Sequence, residues 1–190
     1  MENKLYSFIR PIITAFTKTF LNPKFIGLEN IPNDVPIILA GNHTHNFDCL
    51  LLISSTKRQI HFLAKKELFS GPQGLIFRNL GLIPVDRKNK SPASIISAQK
   101  YLEVGKVVGI FPEATFHKPE GTLLPFKIGA VKIAFTTNTK IVPFHIKGQY
   151  KLFSRNLQIT FGPPLTITSD NLEQENQKLK DTIISLGKET

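Results

Sequence analysis

Short apolar runs rich in β-branched residues, each separated from the next by a stretch of helical period, constrain this chain more than any other feature. Residues 35–40, 60–64, 107–111 and 141–146 are such runs, and each is bounded by polar or turn-forming residues. Runs of this length and composition read as buried strands. A further strand is expected over 81–87, ending in charge, and helical stretches are expected over 49–55, 93–104 and 125–135. Strands alternating with helices define an α/β fold. At 190 residues the chain fits a single domain, with a mostly parallel or mixed sheet flanked by helices. Residues 157–161 alternate and are expected to form an edge strand. Asp170 and Glu173 have the spacing that caps a last helix, running to about residue 186.

The first strand hands over to the first of these helices through Gly41-Asn42-His43-Thr44-His45-Asn46-Phe47-Asp48. Sites in open α/β sheets form where strand C-termini meet helix N-termini. His43 and Asp48 lie too far apart to share one helical face. Across a turn, the carboxylate can fold back on the ring, fix its tautomer and leave the second nitrogen as a base. Such a pair has no nucleophile of its own and suits activation of a substrate hydroxyl. Cys49 opens an apolar run and is expected to be packed rather than reactive. A competing reading takes His43, His45 and Asp48 as the start of a metal site in a hydrolase. That site needs further ligands from His61, His117 or His145, which stand alone in the sequence. Glu113 follows the strand over 107–111, at the same rim, where it can bind a substrate hydroxyl or hold a neighbouring backbone in place. Arg87, Lys88 and Lys90 cluster after the strand over 81–87, and an Arg grips phosphate through two parallel hydrogen bonds. Lys127 is expected in the first turn of the helix over 125–135, against the dipole preference, which hints at an anionic partner.

Leu5, Phe8, Ile9, Ile12, Ile13, Phe16 and Phe20 recur at helical steps, with Lys4, Arg10 and Lys18 among them. Pro11 is expected to kink this helix or to begin a second one. The stretch is too polar to span a bilayer and lacks the cleavage site of a signal peptide. Two readings stand for it: a helix lying in a bilayer interface, or a helix packed on the domain. Residues 1–24 are accordingly set apart as an amphipathic, membrane-associating segment, with the catalytic domain over 25–190. The net charge of +10 favours an anionic partner, whether a membrane surface, a phosphorylated substrate, an acidic carrier protein or nucleic acid. A single cysteine excludes an internal disulfide and fits a reducing compartment.

Four separated stretches match one pattern: Asn42-His43 with Asp48 five residues on from the histidine, Gly81-Leu82-Ile83-Pro84-Val85-Asp86-Arg87, Phe111-Pro112-Glu113-Ala114-Thr115, and Val142-Pro143. Supporting matches at residues 27–32, 64–68 and 126–130 fall in the same order. The chain resembles the glycerolipid acyltransferases, and among them the 1-acylglycerol-3-phosphate acyltransferases. The resemblance implies that His43 is the general base and Asp48 its orienter. The acyl donor is a thioester, acyl-CoA or acyl carrier protein, and the acceptor is a lysophospholipid hydroxyl. It implies no metal, no cofactor, no acyl-enzyme and no nucleic-acid partner, and it places the protein peripherally on the cytoplasmic face of the membrane. Arg87 holds the acceptor phosphate in this scheme. Glu113 and Thr115 position its head, and Lys65 or backbone amides near the turn meet the oxyanion. Two departures stand out. The family motif Glu-Gly-Thr-Arg reads Glu113-Ala114-Thr115-Phe116 here, so its phosphate-binding Arg is missing; two readings stand, that Lys118 or Lys127 replaces it, or that the acceptor is other than lysophosphatidate. The position two after the catalytic histidine, often Ser, is His45. A non-catalytic basic module that binds membrane or nucleic acid is the remaining alternative, and it leaves the ordered motifs unexplained.

Overall fold

The computed structural model describes residues 3–86, 92–119, 122–153 and 155–188. Its centre is β2 (Ile37–Gly41), buried along its whole length. Beside it lie β5 (Val107–Ile110) on one side and β6 (Lys140–Lys147) on the other, both parallel to it. Outward from β5 come β3 (Ile60–Lys65) and β4 (Ile83–Val85). Outward from β6 come β7 (Gln158–Phe161), the one antiparallel neighbour, and β1 (Lys24–Ile26). The order is β1-β7-β6-β2-β5-β3-β4, a mixed seven-stranded sheet. β7 is therefore an inner strand, against the expectation of an edge. Its outer side pairs with Lys24, Phe25 and Ile26, a segment too short to show itself in sequence.

Alternation along the strands sends side chains into two cores. Ile37, Leu39, Ile60, Phe62, Phe144 and Phe161 face one side, where Leu51 and Leu52 of α2 (Asp48–Ser55) meet them. Ile38, Ala40, Val108 and Ile141 face the other, under α4 (Ala93–Glu103), α5 (Gly129–Thr137) and α6 (Leu172–Lys188). Helices cover both faces, so the strands carry continuous apolar runs rather than polar alternation. α3 (Pro72–Asn79) begins with its proline at the first helical turn, where the missing N–H is not needed.

α1 (Lys4–Phe16) continues through Pro11 and passes into a π-helical turn, Thr17–Leu21, that ends at left-handed Asn22. It packs on α2. The Tyr6 hydroxyl donates to the Arg58 carbonyl, and the Arg10 guanidinium donates to that of Thr56 at 2.8 Å. The opposite side leaves Phe8, Ile12, Phe16 and Phe20 in solvent. One face of this segment is thus packed on the domain while the other stays open. Among the described residues, no helix is long and apolar enough to cross a membrane.

Two helix starts differ from expectation. α5 begins at Gly129, because the Lys127 amide is spent on the Pro112 carbonyl at 3.0 Å. Lys127 precedes the helix rather than sitting in its first turn. At α6 the capping oxygen comes from Asn171, which accepts from the Gln174 amide at 3.1 Å, not from Asp170.

Candidate active site

The turn after β2 is built by close backbone approach. A Cβ on Gly41 would lie 2.3 Å from the Phe144 ring and carbonyl, so only glycine lets β2 and β6 pair here. Asn42, next in line, is buried and uses its side chain as a strand would use its backbone. Its Nδ2 donates to the Ile146 carbonyl and its Oδ1 accepts from the Ile146 amide, both at 2.7 Å. The chain is clipped to β6 one residue before the histidine.

His43 then turns back. Its Nδ1 lies 2.7 Å from Asp48 Oδ2. Asp48 opens α2, is fully buried, and accepts from five donors. Oδ2 also takes the Thr44 amide at 2.6 Å and the His45 amide at 3.0 Å. Oδ1 takes the Thr44 hydroxyl at 2.9 Å and the Tyr150 hydroxyl. A carboxylate so surrounded is an acceptor only, so the proton on the shared bond belongs to Nδ1. Nε2 of His43 is then a base, and it has no partner among the described residues. The ring is stacked on Phe111, with centroids 4.0 Å apart, and meets the edge of Phe116 at 5.0 Å. Its side chain keeps 15% of its surface exposed.

Glu113 supports the same turn from the end of β5. Its Oε1 accepts from the His43 amide at 2.9 Å; its Oε2 accepts from the Leu124 amide at 2.7 Å and pairs with the Lys118 ammonium. Both oxygens are thus occupied by protein donors, and the carboxylate is buried. Ala114 follows with φ +60°, in the left-handed region where the related motif carries glycine. The Thr115 hydroxyl accepts from the His117 amide at 3.1 Å.

A cavity of about 630 Å³ opens beside the turn, lined among others by Thr44, His45, Phe116, Lys118, His145 and Tyr150. That is a size suited to a small organic ligand. His43 is not among its lining residues; Phe116, which touches the His43 ring, is. His145 Nδ1 lies 3.0 Å from the Ile183 carbonyl. Burial lowers the His145 pKa first; Lys147 and Lys118 add to the effect, and the Ile183 bond and Glu113 oppose it.

Lys65 ends β3, exposed, two strands from β2 and hence roughly 10 Å away. Lys127 is exposed outside the cavity. Arg87, with Lys88 and Lys90, lies outside the described residues. His45 stacks on Tyr150 with centroids 4.6 Å apart, and its Nδ1 accepts from the Phe47 amide at 3.2 Å. Cys49 is held as a thiol: burial first, and the Asp48 charge second, push it up to about 12. Tyr150 was not expected. Burial, then the Asp48 charge and hydrogen bond, raise its pKa, so it stays a donor to Asp48. Its only sequence signal is a tyrosine just past a strand that ends at the site's rim.

A histidine paired with a buried carboxylate at the C-terminal rim of an α/β sheet, with no serine or reactive cysteine beside it among the described residues, is an arrangement suited to activating an alcohol of a substrate. The chain belongs to the acyltransferase family, whose model matches residues 22–147. It is 34% identical over 148 residues to the 1-acyl-sn-glycerol-3-phosphate acyltransferase of Bacillus subtilis, covering 75% of this chain and 73% of that protein. It is 28% identical over 178 residues to the human 1-acyl-sn-glycerol-3-phosphate acyltransferase alpha, covering 86% of this chain and 62% of that one. The fold is shared with the crystal structure of the 1-acyl-sn-glycerophosphate acyltransferase PlsC of Thermotoga maritima. The TM-score is 0.75 at 24% identity, over 94% of this chain and 78% of that one.

Proposed function

We propose that the protein moves a fatty acyl group from an acyl thioester, acyl-CoA or acyl carrier protein, to the free hydroxyl of 1-acylglycerol-3-phosphate, giving phosphatidate in phospholipid synthesis. The observation that carries this reading is the 2.7 Å contact between His43 Nδ1 and Asp48 Oδ2 beside an unpartnered Nε2. Nε2 takes the proton of the acceptor hydroxyl as its oxygen attacks the thioester carbonyl. The tetrahedral intermediate collapses, the C–S bond breaks, and the imidazolium returns its proton to the departing thiolate. No acyl-enzyme intervenes in this scheme: Cys49 is held as a thiol, and the Thr44 and Tyr150 hydroxyls that adjoin the dyad are spent as donors to Asp48.

Asp48 orients the base, with Thr44 and Tyr150 holding Asp48 in turn. Glu113 acts through the His43 amide rather than on substrate, since both of its oxygens are occupied. The amides of Thr44, His45 and Phe47 are already engaged, so they are not the oxyanion donors. Lys65, unpaired at the rim among the described residues, is the better candidate. Arg87 is assigned to the acceptor phosphate on the strength of the motif, and Thr115 to the acceptor head. Lys118, in the cavity wall, takes the place of the family arginine lost at Phe116; Lys127, outside the cavity, does not. The exposed face of α1 seats the protein peripherally on an anionic leaflet, at the cytoplasmic face of the membrane.

The metal-hydrolase alternative requires Asp48 to give up donors it already holds. Among the described residues no three His, Cys, Asp or Glu side chains are grouped to bind a metal. The test is a matrix of acyl-CoA and acyl carrier protein donors against 1-acylglycerol-3-phosphate, glycerol-3-phosphate and uncharged lysolipids, read by product mass. Phosphatidate as the main product is expected. Hydrolysis of the thioester without an acylated acceptor would overturn the reading.

A further inference from the structure

The segment that leaves β6 carries Tyr150 to Asp48 and then places two large apolar side chains in water. Leu152 is 57% exposed and Phe153 is 72% exposed. Phe153 also holds a φ of +60°, a conformation unfavourable for a residue with a Cβ by about 1 kcal/mol. An aromatic ring left 72% exposed on a disfavoured backbone buries too little surface to account for its place there. Its surroundings show what it faces. The Phe153 amide donates to the Phe20 carbonyl at 2.6 Å, and its ring lies 5.6 Å from that of Phe20, which lies 5.2 Å from Phe16. The three rings thus form one file that continues the open face of α1 onto the catalytic domain. Cations flank these rings along the chain: Lys18, Lys151 and Arg155 each stand two residues from one of them, and all three are exposed. Apolar rings flanked by cations complement anionic headgroups above acyl chains.

We propose that residues 151–153 form a second bilayer anchor, with Leu152 and Phe153 inserted at the headgroup–acyl boundary of an anionic leaflet beside α1. Tyr150 stands three residues before Phe153, so at most about 11 Å of extended chain separates the anchor from the residue that grips Asp48. The anchor therefore fixes how far the dyad stands from the leaflet. The inference rests on the bilayer-surface part of the proposed function and on none of its chemistry.

The chain contains no tryptophan, so Phe153→Trp supplies a single indole. Its emission is recorded in the full-length protein as vesicles of phosphatidylglycerol and phosphatidylcholine are added. A blue shift is expected with anionic vesicles, and a weaker one with phosphatidylcholine alone. Val104→Trp, at a position 68% exposed after α4 on the other face of the sheet, should show none. The double variant Leu152→Ser/Phe153→Ser should retain its melting temperature and lose about a hundredfold in vesicle partitioning, about tenfold for each of the two large apolar side chains removed. Unchanged emission of the Phe153→Trp protein, or unchanged partitioning of the double variant, would falsify the anchor. A shift without lipid that grows with protein concentration would overturn it in favour of a second copy of the chain, and a shift only with an acidic carrier protein in favour of a docking site for that carrier. These readouts involve no turnover, so a failed donor–acceptor matrix and a failed anchor are separate results.

Discussion

Tyr150→Phe removes one oxygen and leaves the ring in place, which isolates the hydroxyl's hold on Asp48. The ring contacts to His45 and Phe47 survive, because they use its face and edge. Asp48 Oδ1 keeps the Thr44 hydroxyl, and Oδ2 keeps all three of its donors. The loss is one hydrogen bond to a fully buried carboxylate, worth about 1.5–3 kcal/mol. For a domain of this size that corresponds to a melting temperature lower by roughly 3–12 °C. With one of five restraints gone, the carboxylate still faces His43, so kcat should fall by about tenfold, with little change in KM for either substrate. Asp48→Asn, which takes the charge from beside the imidazolium, should fall by about 10³ or more. Differential scanning calorimetry and steady-state kinetics on the two variants separate these effects. An unchanged melting temperature for Tyr150→Phe, or a loss confined to KM, would show that the hydroxyl serves substrate rather than Asp48.

Ala114→Gly relieves a left-handed alanine beside Glu113, and a gain of up to about 1 kcal/mol, seen as a Tm raised by about 2–4 °C, is expected in thermal unfolding. The Cys49 thiol, pushed up to about 12, should react with iodoacetamide at pH 8 about a thousandfold more slowly in the native protein than after denaturation, and alkylation kinetics followed by mass measure this. His61 is buried against Tyr101, and burial lowers its pKa below the ordinary value of 6.5. The unfolded chain therefore binds a proton there before the folded one does, and this site costs stability as pH falls below about 6.5. His61→Phe should flatten the decline in melting temperature between about pH 6.5 and 5, even though it lowers the value at neutral pH by leaving the Gly81 carbonyl without its ring partner.

The parts of this fold that were legible in sequence are those whose cause is local. β2, β3, β5 and β6 are covered on both faces, so each appears as an apolar run. The contact of His43 with Asp48 was legible because one turn contains both. Where a feature depends on a distant segment, the sequence is silent. Lys24-Phe25-Ile26 becomes a strand only because β7 lies beside it, and for the same reason β7 is no edge. The start of α5 moved because a carbonyl at Pro112 claims the Lys127 amide. Glu113 was open to two readings, and only the position of the His43 amide favours the backbone-holding one. Tyr150 reaches Asp48 from 102 residues downstream, in an aperiodic loop. A buried carboxylate with one imidazole partner has lone pairs that demand further donors, but nothing in the sequence says which residue supplies them.

The proposed reaction turns on one imidazole nitrogen of His43, which deprotonates the acceptor alcohol. Its most direct measurement is thiol release from an acyl thioester by His43→Ala, with 1-acylglycerol-3-phosphate present and folding checked by circular dichroism. The expected result is kcat lower by about 10²–10⁴ in a protein that still unfolds cooperatively. A folded His43→Ala protein that releases thiol and acylates the acceptor at the rate of the unaltered enzyme would contradict it.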